Sequence, residues 1–369
     1  MAEPAVPFVS LTAQHQGLAA EIRNAVGRVM ESGWFILGPQ VEAFEEEFAS
    51  VVGTAHAVGV ASGTDALTLS LWALGVGPGD EVITTPLTAT FTALAISRTG
   101  ARPAFADVDG RSLNLSPESV AKRMTARTKA LLPVHLYGNP CQMPALLRLA
   151  GENGLAVVED ACQAHGAKLA DRPLGGWGKA GCFSFYPTKN LGALGDGGMV
   201  ATNDAAMANR LRRLRNGGQE NRYIHREIGF NSRLDELQAA ILRAKLPHLS
   251  TWNARRRALA ALYGELLAEA PLVWVDLLPD AETAAHLLVV RAPERDRLRE
   301  ALSEAGVETL IHYPVPAHLQ PAYQGLGQGV GSCPEAERAA GEILSLPLYP
   351  ELTEAQVERV ARAILEFYR

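Results

Sequence analysis

The sequence predicts an α/β protein: a large domain built on a mostly parallel sheet, followed by a smaller C-terminal α/β domain. Three observations carry this reading. Short apolar runs alternate with helical stretches from residue 55 to about residue 200, the pattern of parallel strands joined by covering helices. After a long helical stretch the alternation resumes in a shorter unit. Finally, the 369 residues are 47% hydrophobic and 20% charged, enough for two cores and too apolar for a disordered chain.

The elements follow in order. Leu18, Ile22, Val26 and Val29 recur at helical spacing, and Gly33 ends the run. Phe44 and Phe48 mark one face of a second helix that begins near Pro39. Buried strands are predicted over 55–60, 81–85, 103–106, 130–135 and 155–158, separated by helices over 64–74, 92–97, 117–124 and 143–151. Runs 181–185 and 198–202 follow with no full helix between them, so part of the sheet is expected to be antiparallel. One helical stretch is read over 232–270, and the domain boundary falls inside it, giving a large domain of 1–245 and a small domain of 246–369. The small domain reads as a strand over 286–291, a helix over 294–305 and a strand over 307–311. A Pro- and Gly-rich segment over 313–334 and helices over 335–344 and 353–367 complete it.

Charge excludes some functions. Lys plus Arg is 34 against 40 Asp plus Glu, a net −6, and no long basic run supplies the face a nucleic-acid backbone needs. The four Arg within 210–215 read as a solvated helix face. No run of 18 apolar residues suggests a membrane span, and the N-terminus lacks a basic start followed by an apolar run. Cys141, Cys162, Cys182 and Cys333 show neither a CxxC pair nor zinc spacing, so they read as free thiols with no metal site. The expectation is a cytoplasmic protein with no nucleic-acid or membrane partner.

Four segments carry chemistry, and each follows a predicted strand, where an open α/β sheet places its ligand crevice. In SGTDAL (62–67), small and hydroxyl residues meet a helix N-terminus that attracts an anion, or Ser62 or Thr64 simply caps the helix. In EDACQAHG (159–166), a carboxylate at the end of a buried strand needs a positive partner, or is a satisfied structural Asp. In FSFYPTKNLGALGDGG (183–198), an apolar strand delivers one lysine into a loop of small residues. That lysine is either a snorkelling surface residue or a desolvated amine with a lowered pKa. In GFNSRLDELQAA (229–240), Asn231 or Ser232 reads as the cap of the long helix.

Together these segments, with FILGP near the N-terminus and LSLP near the C-terminus, resemble the DegT/StrS-type sugar aminotransferases, a branch of the fold-type I pyridoxal-phosphate enzymes. The resemblance covers nearly the whole chain and implies a fold-type I architecture. It further implies pyridoxal 5′-phosphate as cofactor, with the pyridoxamine form between half-reactions. Carried over residue by residue, it makes Lys189 the residue that holds the cofactor aldehyde and moves the proton. Asp160 is the partner of the pyridine nitrogen, and Gln163 is a neighbour of the ring and its 3-hydroxyl. Gly63, Thr64 and Ser184 become phosphate contacts, and Asn231 reaches the phosphate from the neighbouring subunit, which implies a homodimer with shared active sites. The sequence departs from the family pattern at Ala89, where relatives carry an aromatic residue that stacks on the ring. Phe91 lies two positions on and would share its face only if the segment were extended.

Tyr186 and the segment 312–320, with His312, Tyr313 and His318 as substrate-binding candidates, are similar to the subgroup that aminates C3 of dTDP-linked 3-keto-6-deoxysugars. The resemblance therefore implies transfer of an amino group from L-glutamate to a nucleotide sugar. A 4-keto sugar or a cyclitol is the alternative substrate within the class. A sugar dehydratase, in which relatives replace the lysine by His, and a catalytically silent cofactor-binding regulator are the readings outside it.

Overall fold

The computed structural model describes residues 5–369. Seven strands form the main sheet: β1 (His56–Val60), β2 (Glu81–Thr84), β3 (Arg102–Phe105), β4 (Thr128–Leu132), β5 (Ala156–Asp160), β6 (Ala180–Ser184) and β7 (Gly198–Thr202). Their spatial order is β1-β7-β6-β5-β4-β2-β3. Only β7 runs against the others, pairing antiparallel with β1 and β6. The expected antiparallel part is therefore a single strand. Because β1 is antiparallel to β7, it shares the direction of the rest, and the ends of β1, β2, β5 and β6 open on one edge.

Successive strand residues point to opposite faces, so each strand feeds two cores. Leu131, Val157 and Phe183 pack beneath the sheet with Phe44, Phe48 and Met143. Their neighbours Leu132, Val158 and Cys182 pack above it with Leu67, Leu71 and Leu211. Two-sided burial explains why these strands read as unbroken apolar runs.

The helices begin where the sequence supplies caps. In order they are α1 (Leu11–Gly17), α2 (Ala19–Ser32), α3 (Pro39–Val52), α4 (Gly63–Ala73), α5 (Phe91–Arg98), α6 (Pro117–Arg123), α7 (Met143–Glu152) and α8 (Ala205–Leu214). Gly33, at φ 64°, ends α2, the left-handed C-cap that glycine adopts without strain. Glu236 caps α3 from a distance, accepting from the N–H groups of Gly38 (2.9 Å), Gln40 (2.8 Å) and Val41 (2.8 Å). It stands at the start of α9 (Glu236–Lys245), which packs on α2 through Ile22, Ile241, Val29 and Ala240.

Two expectations fail here. The helix read over 232–270 is two, α9 and α10 (Leu249–Leu266), separated by a 3-10 turn over Leu246–His248. Pro247 has no N–H to continue the helical ladder. Nor do Asn231 and Ser232 cap it: the N-cap residue is Asp235.

The C-terminal unit holds a three-stranded antiparallel sheet, β8 (Val273–Trp274), β9 (Leu288–Arg291) and β10 (Ile343–Leu346). It packs with α10, α11 (Arg295–Glu304) and α13 (Glu354–Phe367) around Tyr263, Leu298, Leu344 and Ile364. The strand expected over 307–311 exists only as isolated bridges, Val6 to Val307 and Leu310 to Ser345. Its place is taken by β10, where the sequence predicts the end of a helix. Ala336, Ala339, Ala340 and Ile343 keep helical spacing, but α12 (Pro334–Glu342) stops and all four residues of β10 are buried. No helix among the described residues is long and apolar enough to cross a membrane. The four cysteines are unpaired, and no group of His, Cys, Asp and Glu among the described residues is arranged to hold a metal ion.

Candidate active site

The strand ends on the common edge surround a cavity of about 780 Å³. Gly63, Thr64, Asp160, Gln163, Ser184 and Lys189 all line it. It is walled from the C-terminal side by His286, Leu310, His312, Tyr313 and Leu348.

The first strand end supplies an anion site. Ser62 is the N-cap of α4, and its hydroxyl accepts from the Asp65 N–H at 3.1 Å. Gly63 and Thr64 line the cavity, and as the first residues of α4 their N–H groups have no intrahelical partner, so the helix dipole favours a negative group there. Glycine is required at 63, because a Cβ there would lie 2.6 Å from Ser184 Cβ and 2.8 Å from Cys162 Sγ. Ser184 ends β6 on the same cavity wall. Asp65 anchors the assembly, accepting from the Ser232 hydroxyl (2.7 Å) and pairing with Arg98 (2.6 Å). Thus the fourth sequence segment meets the first.

Asp160 ends β5, buried, with a donor on each oxygen. The Thr92 hydroxyl donates to Oδ2 at 2.8 Å and the Cys162 N–H to Oδ1 at 3.2 Å. Both donors are neutral, and Asp160 forms no ion pair among the described residues. A buried carboxylate held only by neutral groups suits a cationic ligand. Gln163 spans two elements: its Oε1 accepts from the Tyr137 N–H (2.7 Å) and its Nε2 donates to the Tyr313 hydroxyl (3.2 Å). Tyr137 in turn donates its hydroxyl to the His312 carbonyl at 2.5 Å, so this loop ties the sheet edge to the C-terminal unit.

Lys189 follows β6 in the loop. Its amine has no hydrogen bond or ion pair among the described residues. Burial lowers its pKa, and the nearby Cys162 and Asp160 act in the opposite direction. A lowered pKa raises the fraction of neutral, nucleophilic amine. The histidines around it are kept neutral: burial and the lysine charge bring His312 to about 4 and His165 to about 3. Burial pushes the Tyr313 hydroxyl up to about 12, against the hydrogen bond from Gln163.

The remaining sequence candidates divide. Tyr186, 53% exposed, lines the cavity mouth, as do His312 and Tyr313 farther in. His318 does not reach the cavity. It is fully buried, bonded through Nε2 to Glu337 (3.0 Å) and packed on Phe105, because the Pro-rich segment folds it inward over β3. Asn231 is exposed outside the cavity, its backbone bridged to Asn216. Ala89 lines the cavity, and α5 starts at Phe91 after a helical Thr90. The Thr92 N–H donates to the Ala89 carbonyl at 3.1 Å, so the segment turns rather than running extended and the condition for Phe91 to share the face of Ala89 is not met; Phe91 borders the mouth, 63% exposed. Sequence reasoning missed Thr92, which no motif marks. It also missed Arg256, whose spacing with Asn253, Leu259 and Tyr263 on the buried face of α10 was a readable signal.

A phosphate, a protonatable ring nitrogen and an aldehyde are the three handles of pyridoxal phosphate, and this crevice answers each from a different strand end. The fold and site define a pyridoxal-phosphate enzyme of the fold-type I class. The chain belongs to the DegT/DnrJ/EryC1/StrS aminotransferase family, whose model matches residues 16–365. It is 50% identical to a dTDP-3-amino-3,4,6-trideoxy-α-D-glucose transaminase of Streptomyces venezuelae over 99% of this chain and 96% of that protein. Among solved structures, S. venezuelae DesV in complex with a ketimine intermediate superposes with a TM-score of 0.97 at 50% identity, covering 99% of both chains. NtdA from Bacillus subtilis with bound cofactor PMP gives a TM-score of 0.92 at 31% identity, over 99% of this chain and 86% of that one.

Proposed function

We propose that this aminotransferase moves an amino group from L-glutamate to the C3 keto group of a dTDP-linked deoxysugar, as a cytoplasmic homodimer. The observation that carries the reading is the convergence of Lys189, Asp160, Gln163, Ser184 and the α4 N-terminus on one cavity, in a chain half identical to a 3-amino-sugar transaminase. Pyridoxal phosphate, when bound, supplies the electron-withdrawing ring that lets an amino acid lose its α-proton.

The protein's own residues do the rest. Gly63 and Thr64 N–H groups and the Ser184 hydroxyl bind the phosphate. Asp160, held by Thr92, keeps a proton on the ring nitrogen. Lys189 holds the aldehyde and then moves the proton at Nζ as general base and acid. Gln163 orients the ring edge, itself held by the Tyr313 hydroxyl to which it donates. Tyr186 at the mouth positions the sugar, and its phenol selects the carbon that faces Lys189. His312 lines the sugar's inner wall in its neutral form. His318 is left out of the site as a packing residue.

The dimer rests on the resemblance and on surface chemistry. Trp34, Phe35 and Ile36 are exposed large apolar residues, and so are Phe91 and Leu194. Exposed apolar side chains of this size are the kind of surface a self-complementary interface covers. Asn231, exposed and unused by its own cavity, is free to complete a partner's phosphate site.

The test is incubation of the holoenzyme with L-glutamate and a panel of 3-keto and 4-keto dTDP-sugars and keto-cyclitols, with product connectivity read by NMR. Nitrogen at C3 supports the proposal, and Tyr186→Phe then slows this reaction more than it weakens cofactor binding. Nitrogen at C4 with the 3-keto isomer ignored, or on a cyclitol alone, overturns the substrate. No turnover of any acceptor would favour the regulatory reading.

A further inference from the structure

The interior face of α10 runs Leu249, Asn253, Arg256, Leu259 and Tyr263, so helical spacing places a guanidinium where an apolar side chain is the default. Arg256 is 4% exposed and borders the same cavity as Lys189. Its Nη1 donates to the carbonyls of Leu348 (2.8 Å) and His286 (3.3 Å), two residues of the cavity wall. Nε is buried with no partner among the described residues. Nη2 makes no hydrogen bond either, yet it is not among the sealed, partnerless atoms and so retains accessible surface. Burial brings the group to about 10, with the charge of Glu351 opposing, so it is cationic at neutral pH.

A buried cation held by two carbonyls and no carboxylate is an incomplete arrangement, since its desolvation is not offset by an opposite charge. The other cations on the cavity wall do not share this condition. Arg98 is paired with Asp65 at 2.6 Å, Lys189 is the reacting amine, and His286 and His312 are held neutral. Among the described residues, Arg256 is therefore the lining cation placed to receive an anion that arrives with a substrate. Nη2, which retains accessible surface, is the donor placed to give that anion a charge-assisted N–H bond.

We propose that Arg256 binds the side-chain carboxylate of the amino donor and thereby selects an acidic amino acid for the first half-reaction. This rests on the aminotransferase reading above, with L-glutamate as donor. It assigns the donor's anchor to α10, on the cavity that α4 also lines. The nucleotide sugar brings an anion of its own, the diphosphate, so the sugar half-reaction is the control that separates the two ligands.

The experiment uses the holoenzyme and two variants, Arg256→Gln and Arg256→Lys. Binding is read by titrating with glutarate, an unreactive dicarboxylate, following cofactor absorbance and heat. The two half-reactions are read separately, glutamate with the pyridoxal form and keto-sugar nucleotide with the pyridoxamine form. Expected is a loss of glutarate affinity of roughly thirtyfold or more in Arg256→Gln, the cost of removing one member of a buried charge pair. A KM for glutamate raised by a similar factor should accompany it, with the sugar half-reaction within about twofold of wild type. Arg256→Lys keeps the charge without the guanidinium and should fall between. Unchanged glutarate affinity in Arg256→Gln overturns the proposal, as does equal damage to both half-reactions with a lowered melting temperature. If Arg256→Gln does not fold, glutarate affinity in Arg256→Lys decides alone. A wild-type enzyme inert toward glutamate would defeat the proposed function, while the glutarate titration would still decide this inference.

Discussion

Glu159 and Asp160 are neighbours at the end of β5, and the pleat sends them to opposite sides of the sheet. Beneath it, Glu159 is saturated. Oε1 accepts from the Trp177 and Gly178 N–H groups, both at 2.7 Å, and Oε2 from the Gly175 N–H at 2.8 Å. His135 completes the set: Nδ1 accepts from the Cys141 N–H (3.1 Å), which leaves Nε2–H to donate to Oε2 at 3.0 Å. Even the chain's approach is built for this, since a Cβ at Gly181 would lie 2.1 Å from the Gly175 carbonyl oxygen. Above the sheet, Asp160 has one hydroxyl and one N–H and faces the cavity. Two carboxylates of similar burial thus serve different ends. The one whose donors are backbone groups holds a loop in place, and the one whose charge is left unmatched is ready for a ligand.

The largest effect that tests this contrast is at the ligand side. Lys189→Ala should lower turnover by roughly 10⁴-fold or more, because one change removes both the cofactor's covalent anchor and the proton carrier. Its melting temperature should stay near wild type, and borohydride should fix cofactor to the peptide containing Lys189 in the wild type only. Near-normal transamination by this variant would end the assignment.

The pair Glu159→Gln and Asp160→Asn sharpens the comparison directly. At Glu159 the amide NH₂ would confront backbone N–H groups that cannot turn round, so stability should fall by about 3 kcal/mol. At Asp160 the Thr92 hydroxyl can rotate and accept from the new amide, so stability should change by less than about 1 kcal/mol. Activity should reverse the order, with Asp160→Asn losing about a hundredfold or more at saturating cofactor. Denaturant melts and turnover measured on the same preparations check both. Equal destabilisation by the two changes would show that Asp160 is as structural as its neighbour.

A subtler test concerns whether the upper site is complete within one chain. Mixing Lys189→Ala with Asn231→Ala protein should regenerate, in each heterodimer, one site that carries both native residues. Activity above that of either parent in verified heterodimers is the expected result; none would count against a shared site.

The smallest effect is on pH dependence. His312 and His165 have folded-state pKa values of about 4 and about 3 against 6.5 for the unfolded chain. Below pH 6.5 the unfolded state binds protons that the native state refuses, so stability is intact above 6.5 and falls as pH drops toward 4. Among the described residues, His165 has no partner on either ring nitrogen, and it lies 5.5 Å from the Phe183 ring and 5.8 Å from the Phe185 ring, centroid to centroid. Replacing it with Phe should make the decline between pH 6.5 and 4 shallower, and an unchanged slope would show that this ring does not contribute.

Local features were legible from the chain. The alternation of apolar runs and helices, the Ser62 cap, the Gly33 stop and the three segments that became strand-end loops all depend on neighbours in sequence, and periodicity reports those directly; the fourth, 229–240, instead leads into α9. The residues whose types suit phosphate, ring nitrogen and aldehyde were named for the same reason: the site is made of short contiguous motifs. What the tertiary structure decided is which groups lack a partner. His318 and Arg256 are both polar residues in unremarkable stretches, yet folding pairs the first with Glu337 and leaves the second open at the cavity. Helical periodicity ran on through Ile343 until the three-stranded sheet claimed it, and the separation of Glu159 from Asp160 required knowing where residues 175–178 return. Satisfaction of a buried polar group depends on donors brought from far along the chain, and one-dimensional patterns carry no record of them.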